Sequence, residues 1–493
     1  MILNNKKIFN LSNFLIYIFL FFSIVLLLYT HYKSYFVFNS FRLNHYLIYY
    51  FFSTGSIIFF SVLLFFNVEF KKNTLLFLFT LIFIIYLSEV LVRAIYKGSS
   101  DSIKENKRIR ENRAKVIFEK YGKVIDIRSP IQVQKELKEK GTDVSLLVTP
   151  YRMIENEIKI FDDKDDENNN EQNSKKILPL SGLSKKLYIG GSETGEYKFY
   201  TTDRYGFNNQ DDDWDKEIYI TLIGDSFIHG GYLNFENNFV GTLKKISNKT
   251  VLGLAQPNNG PLLELATLKE YIKVINPKII LWMYYEGNDL IEIIEEKKSK
   301  TLNKYFSKNF TQDLIKKQKS IERSYSIFVD ERILKLDLAE KKIDTSQHSS
   351  DDDLYTKILS IFKLKKIRAI LFTNLFARIK DREYTKSTKF LKDVLIEAKR
   401  ETDILNAKLY FVYLPSSTRF LDNNHILRKN DFFRQDVLNI VDNLNIELID
   451  IYEKLFKYHQ NPLSFYHFSM HSHYNKKAVE QISQEIYKQV LDN

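Results

Sequence analysis

The sequence predicts an α/β protein built on a parallel five-stranded sheet and preceded by three membrane-spanning helices. Three observations carry that reading. Three long stretches within the first hundred residues are apolar and almost free of charge. From residue 216 onward, short β-branched apolar runs alternate with amphipathic stretches. Turn-forming Gly, Asn and Pro residues cluster directly after three of those runs.

The averages conceal this division. The chain has 493 residues, 44% of them hydrophobic, with 72 Lys+Arg against 61 Asp+Glu, a net charge of +11. Its mean hydropathy of −0.26 suits a soluble protein, yet the apolar residues concentrate at the N-terminal end. There is no cysteine, which excludes a disulfide scaffold, a CxxC zinc site and a thiolate nucleophile. Lys and Arg are interspersed with Asp and Glu rather than gathered in a stripe. The basic pI of about 9.1 therefore reads as a solvated surface compatible with anionic lipid, not as a nucleic-acid interface.

Residues 8–32 form the first apolar stretch, long enough to cross a hydrocarbon core of roughly 30 Å as a helix. It exceeds the apolar core of a signal peptide, and no small-x-small cleavage site follows within residues 31–40. A second uncharged run covers residues 43–68, and a third follows Lys71 and Lys72 over residues 73–92. Glu89 and Arg93 lie four apart in the third, on one helical face, where they are expected to pair or snorkel. Tyr and Phe crowd the ends of all three, as interfacial anchors do. Residues 1–97 are thus expected to be a membrane anchor. Residues 98–215 follow as a helical linker and N-terminal extension, and residues 216–493 as the sheet domain, with a largely helical insertion at about 292–400.

Within the linker, residues 101–120 suit a solvent-exposed helix. A turn at Ser129-Pro130, a helix over 134–140 and a strand over 144–148 are expected next. Residues 162–173, DDKDDENNNEQN, have nothing to bury and read as a surface loop. The five sheet strands are expected at residues 218–223, 250–254, 278–284, 408–414 and 445–450. Runs such as IILWMYY and LYFVYL are what a parallel sheet covered on both faces requires.

The candidate site lies at the ends of those strands. Gly224-Asp225-Ser226-Phe227 closes the first strand, placing a serine where open α/β sheets bind ligands. Pro257-Asn258-Asn259-Gly260-Pro261 follows the second strand, and Glu286-Gly287-Asn288-Asp289 the third. Near the C-terminal end comes His471-Ser472-His473-Tyr474-Asn475, which supplies the base that a nucleophilic serine needs. His229 and His471 are competing bases. The His471 and His473 pair lacks a third ligand at metal-binding spacing, so no metal is expected.

Taken in order, Gly224-Asp225-Ser226-Phe227, Gly260, Gly287-Asn288-Asp289 and His473-Tyr474-Asn475 resemble the four blocks of the SGNH/GDSL hydrolase family. The stretch GGSETGEYKFYTTDRYGFNN at residues 190–209, with GPLLELATLKEY and YYEGNDL, is similar to a subgroup of membrane-anchored bacterial proteins in that superfamily. The resemblance implies a three-layer, flavodoxin-like fold. It further implies Ser226 as nucleophile and His473 as general base. The oxyanion hole would consist of the Ser226 and Gly260 backbone N–H groups and the Asn288 amide. Asp225 is implied to hold its loop.

One departure stands out. The family usually carries an acid three residues before the histidine, but Met470 occupies that position here. The expected substitute is a Ser-His dyad in which a backbone carbonyl or a distant carboxylate such as Asp450 orients His473, the alternative being a catalytically weak enzyme. The implied activity is hydrolysis of an acyl ester, for which the membrane anchor suggests a cell-envelope glycan or lipid as carrier. No cofactor is implied. Two alternatives use the same sequence: an O-acyltransferase acting on envelope sugars, and an inactive, membrane-tethered binding or assembly protein. Envelope chemistry favours an extracytoplasmic sheet domain, although Lys104, Lys107, Arg108 and Arg110 after the third span oppose that orientation under the positive-inside rule.

Overall fold

The computed structural model describes residues 2–37, 43–95, 102–160, 175–346, 361, 363–364, 386–421 and 424–492. The expected loop at 162–173 and the acidic run Asp351 to Asp353 lie outside the described residues. Residues 1–100 belong to one compact unit, and residues 101–345 and 377–493 to another.

In the first unit, α1 (Ile2–His31) with the π-helical turn Tyr32–Val37 that continues it, α2 (Leu43–Leu63) and α3 (Val68–Ile95) hold three stretches long and apolar enough to cross a membrane: Leu11–Val37, Tyr46–Leu63 and Val68–Leu91. Ile16, Phe60, Leu63 and Leu75 form their small common core, and the Phe19 and Phe60 rings stack at 4.9 Å. Several polar side chains described in these helices are bonded within the unit, as an apolar setting would require. Ser23 and Ser53 turn their hydroxyls back to the carbonyls of Phe19 and Tyr49 at 2.8 and 2.7 Å. Lys71 donates to Asn13 at 3.0 Å. Glu89 is buried, while the side chain of Arg93 lies outside the described residues.

The second unit begins with α4 (Ser102–Tyr121), which stops at Gly122. Its left-handed φ of 63° lets its N–H return to the Phe118 carbonyl at 2.8 Å. The next helix, α5 (Pro130–Glu139), starts four residues earlier than expected because Ser129 and Gln132 form a capping box ahead of a favourable N-terminal proline. The strand expected at 144–148 shrinks to β1 (Val144–Ser145), since Thr149-Pro150 already opens α6 (Pro150–Met153). The hairpin strands β2 (Ile158–Ile160) and β3 (Lys175–Ile177) follow. Next, β4 (Leu187–Ile189) joins β1 in parallel and β5 (Phe199–Thr201) antiparallel.

The main sheet contains β6 (Ile220–Gly224), β7 (Val251–Ala255), β8 (Ile279–Tyr285), β9 (Lys408–Leu414) and β10 (Glu447–Asp450). All five are parallel, in the order β10-β9-β8-β6-β7. One face presents Leu222, Leu281, Met283 and Val412 to a core shared with Phe239, Leu243, Val479 and Ile482. The alternate residues Ile223, Trp282, Tyr284 and Phe411 are buried as well, so both faces are covered and the strands read as continuous apolar runs. Chain order reverses beside β6, and that reversal opens a crevice at the C-terminal edge of the sheet.

The extension is stitched to the edge strand β7. Asp203, fully buried, accepts from the Tyr205 and Phe207 N–H groups, the Asn209 amide and the Trp214 indole. Asn209 is thereby aimed at Gly253, whose N–H donates to it at 2.8 Å and whose carbonyl accepts from it at 3.0 Å. One amide thus satisfies both backbone groups of Gly253 on the open side of an edge strand. The DRYGFNN stretch serves the architecture of the domain in this way.

Among the described residues of the insertion, α10 (Asp289–Glu296), α11 (Lys300–Asn303), α12 (Gln318–Ser346) and residues 386–404 are helical.

Candidate active site

Ser226 is the first residue of α7 (Ser226–His229), immediately beyond the end of β6. Asp225 caps that helix through a 2.9 Å bond from the Phe227 N–H and also accepts from Asn288 at 3.2 Å. Across the crevice, His473 approaches from the loop before the C-terminal helix Lys476–Leu491. The two neighbours of His473 anchor that loop. The Tyr474 hydroxyl donates to the Pro415 carbonyl at 2.5 Å, while Asn475 caps the helix through the Ala478 N–H and donates to the Ser464 carbonyl at 2.7 Å.

The His473 Nε2 lies 2.8 Å from the Ser226 Oγ. Its Nδ1 lies 3.0 Å from the Glu193 Oε1, and its backbone N–H donates to the other Glu193 oxygen at 2.8 Å. Tyr232 stacks on the imidazole at 4.2 Å, and Phe227 packs at 4.6 Å. The ring is therefore fixed by two hydrogen bonds and two aromatic contacts. A carboxylate at Nδ1 selects the tautomer that leaves Nε2 free to accept the serine proton.

The electrostatics reinforce this line. Burial pushes the His473 pKa down, but Glu193 and, less strongly, Asp225 outweigh it and raise the value above 6.5. For Glu193 burial acts upward, yet the His473 charge and hydrogen bonds, with Arg113 nearby, hold the carboxyl at about 2.

Asp450, the expected orienting acid, stands elsewhere. It pairs with Arg434 and accepts from the Glu453 N–H at 3.2 Å. The position of β10 explains this correction, since it is the far edge strand, on the opposite side of the sheet order from β6. Met470 belongs to a tight loop in which Phe468 and Ser469 adopt left-handed φ values of 55° and 52°. The competing bases are also committed. His229 is buried, its Nδ1 accepts from the Gly231 N–H at 3.3 Å, and burial with the His473 charge lowers its pKa to about 3. The His471 Nδ1 pairs with the Ser417 hydroxyl at 2.7 Å.

The other two expected oxyanion donors are engaged by α10. The Gly260 N–H donates to Glu296 at 2.6 Å, and the Leu262 N–H to the same carboxyl at 2.9 Å. The Asn288 amide donates to Glu292 at 2.9 Å as well as to Asp225. Of the three donors expected from the sequence, only the Ser226 N–H is not drawn into this arrangement. Burial, aided by mutual repulsion, raises the pKa values of Glu264, Asp289 and Glu292 well above the usual carboxylate range. Burial brings Glu296 to about 7 despite its backbone donors. This acidic cluster therefore retains protons at pH values where exposed carboxyls are ionised.

Glu193 was absent from the sequence reading as a site residue. It lies in the quoted 190–209 stretch, 280 positions from its partner histidine. The usable signal was negative: with Met470 three residues before His473, a carboxylate at the ring could come only from another part of the chain.

No protein-family model matches the chain, and no curated protein matches it. Among solved structures, the chain is similar to the acetyl xylan esterase AlAXEase at 10% identity, over 56% of this chain and 100% of that one, with a TM-score of 0.31. It is also similar to the psychrotrophic esterase EstA from Pseudoalteromonas sp., in a structure inhibited by monoethylphosphonate. That match has 13% identity, covers 56% of this chain and 99% of the other, and has a TM-score of 0.27.

Proposed function

We propose that the chain is a membrane-anchored serine ester hydrolase of the SGNH/GDSL type, with Ser226 as nucleophile, His473 as general base and Glu193 as the acid that orients it. The observation that carries this reading is the continuous hydrogen-bonded line from Ser226 through His473 to Glu193. As the Ser226 Oγ attacks the ester carbonyl, its proton passes to Nε2 and Glu193 stabilises the imidazolium. The ester C–O bond breaks, and the alcohol leaves with that proton. Water, deprotonated by His473, then releases the acyl group as a carboxylic acid and restores Ser226. The Ser226 N–H is assigned to the oxyanion. The substrate class proposed is an acyl ester of an envelope glycan or lipid, with the sheet domain outside the cytoplasm. A topology reporter fused after Asn493 is expected to be active only outside, and cytoplasmic activity overturns that placement.

The decisive experiment is fluorophosphonate labelling of the purified full chain. Wild type is expected to label at Ser226, with Ser226→Ala silent. A specific observation favours a second reading, that of an inactive tethered binding protein: α10 carboxyls occupy Gly260 and Asn288. Folded wild type that never labels, together with a Ser226→Ala variant of normal cellular behaviour, would favour that reading instead.

A further inference from the structure

The turn that carries Glu193 is held by the segment that begins with α4, the first described residues after the third apolar helix. Residues 192–195 form a tight turn, with the Gly195 N–H bonded to the Ser192 carbonyl at 2.9 Å. The next three carbonyls of the turn each accept from this one segment. Arg113 donates to Glu193 O at 3.3 Å, Lys123 Nζ to Thr194 O at 2.7 Å, and the Asp126 N–H to Gly195 O at 2.8 Å. The approach is close: a Cβ on Gly195, whose φ is 103°, would meet Ile125 and Lys123 at 3.0 and 3.2 Å. The same segment reaches the base loop. The Tyr121 hydroxyl donates to the Phe468 carbonyl at 2.8 Å, and Lys123 lies over the Phe468 ring.

We propose that Tyr121 and Lys123 are positioning residues, through which the segment following the membrane anchor holds the Glu193 turn and the His473 loop in register. This rests on the proposed hydrolase reading. Neither residue touches Ser226 or His473. They act on backbone carbonyls, and those carbonyls fix where the Glu193 carboxylate and the imidazole stand. A carboxylate hydrogen-bonded to both the ring and the backbone N–H of His473 tolerates little displacement. Misplacement by about 1 Å can cost about 10²-fold in rate.

The test is the double variant Tyr121→Phe with Lys123→Met in the full chain, followed by the rate and pH dependence of fluorophosphonate labelling at Ser226. The groups that set the His473 charge are Glu193 and Asp225, which raise it, and Arg113, which lowers it, with His229 and His467 as neutral neighbours held below their usual range by burial. Loss of the Glu193 contact moves the labelling limb to lower pH. Loss of the Lys123 charge alone could only move it to higher pH. The expected result is labelling slowed about 10²-fold with the limb displaced downward, and near-normal behaviour for Lys123→Arg, which keeps a donor for Thr194 O. Unchanged rate and limb overturn the proposal while leaving the hydrolase reading intact. The His473 titration, followed by NMR on histidine-labelled protein, does not depend on catalysis. It is expected to fall in the double variant even if wild type fails to label, and an unchanged titration overturns the proposal on its own.

Discussion

Glu193→Gln is expected to lower kcat for ester hydrolysis by about 10³ to 10⁴-fold with little change in KM, the scale of losing the acid in a Ser-His-acid relay. Gln leaves the geometry nearly intact, but its amide can present a donor to Nδ1 and so favour the wrong tautomer. The pH profile provides a second readout. His473 must be neutral to accept the serine proton, and its raised pKa delays that state to higher pH. Removing the carboxylate therefore shifts the rising limb of kcat/KM downward as its plateau falls. Measurement of kcat and KM against pH with a chromogenic acetate ester checks both. A variant retaining full kcat would show that His473 works without Glu193.

The same pair affects stability in a defined window. The Glu193 pKa drops from 4.5 to about 2 on folding, so its contribution is present above pH 4.5 and is lost as pH falls towards 2. The His473 pKa rises above 6.5, so its contribution is present below pH 6.5 and is lost as pH rises through the folded value. The pair therefore supports the fold most between about pH 4.5 and 6.5.

Arg419→Ala is expected to destabilise the sheet domain by about 3 to 5 kcal/mol, the cost of leaving a buried charge without its partner. Arg419 and Glu286 are both nearly inaccessible, at 2% and 7% side-chain exposure. Glu286 accepts from the Arg419 guanidinium and from the Ser416 N–H at 2.9 Å, and the guanidinium lies over the Tyr452 ring at 4.5 Å. The pair ties the loop after β8, which carries Gly287-Asn288-Asp289, to the loop after β9. Chemical denaturation of the second unit measures the loss. Adding Glu286→Gln should recover part of it, because the unpaired charge is then gone. A loss below 1 kcal/mol would place this pair among inconsequential ion pairs.

Local chemistry was legible wherever one stretch of chain sees one environment. The apolar runs of β6 to β9 announced a parallel sheet because burial on both faces removes any alternation of polar residues. The N-terminal helices announced themselves as long and apolar enough to cross a membrane through the length of uncharged chain. Ser226 and His473 were proposed as partners through the resemblance of their short local motifs, and the structure brings the Ser226 hydroxyl and the His473 ring within 2.8 Å. The start of α5 at Pro130 was also written locally, in Ser129 and Gln132, although Ser129-Pro130 read as a turn ahead of a helix beginning at 134.

What the residues alone determined about this protein is thus its three stretches apolar enough to cross a membrane, its sheet and the placing of Ser226 at the edge of that sheet. Only the tertiary structure decided which carboxylate meets His473, because Glu193 and His473 are 280 positions apart and no periodicity links a turn in the extension to a C-terminal loop. The same holds for α10: Glu292 and Glu296 read as ordinary polar positions of a helix, yet folding buries them against Asn288 and Gly260. A hydrogen bond needs its two atoms within about 3 Å. Strand-end motifs bring groups to a shared edge, but contact at that distance across the crevice is set by how the extension, the sheet and the C-terminal loop pack together.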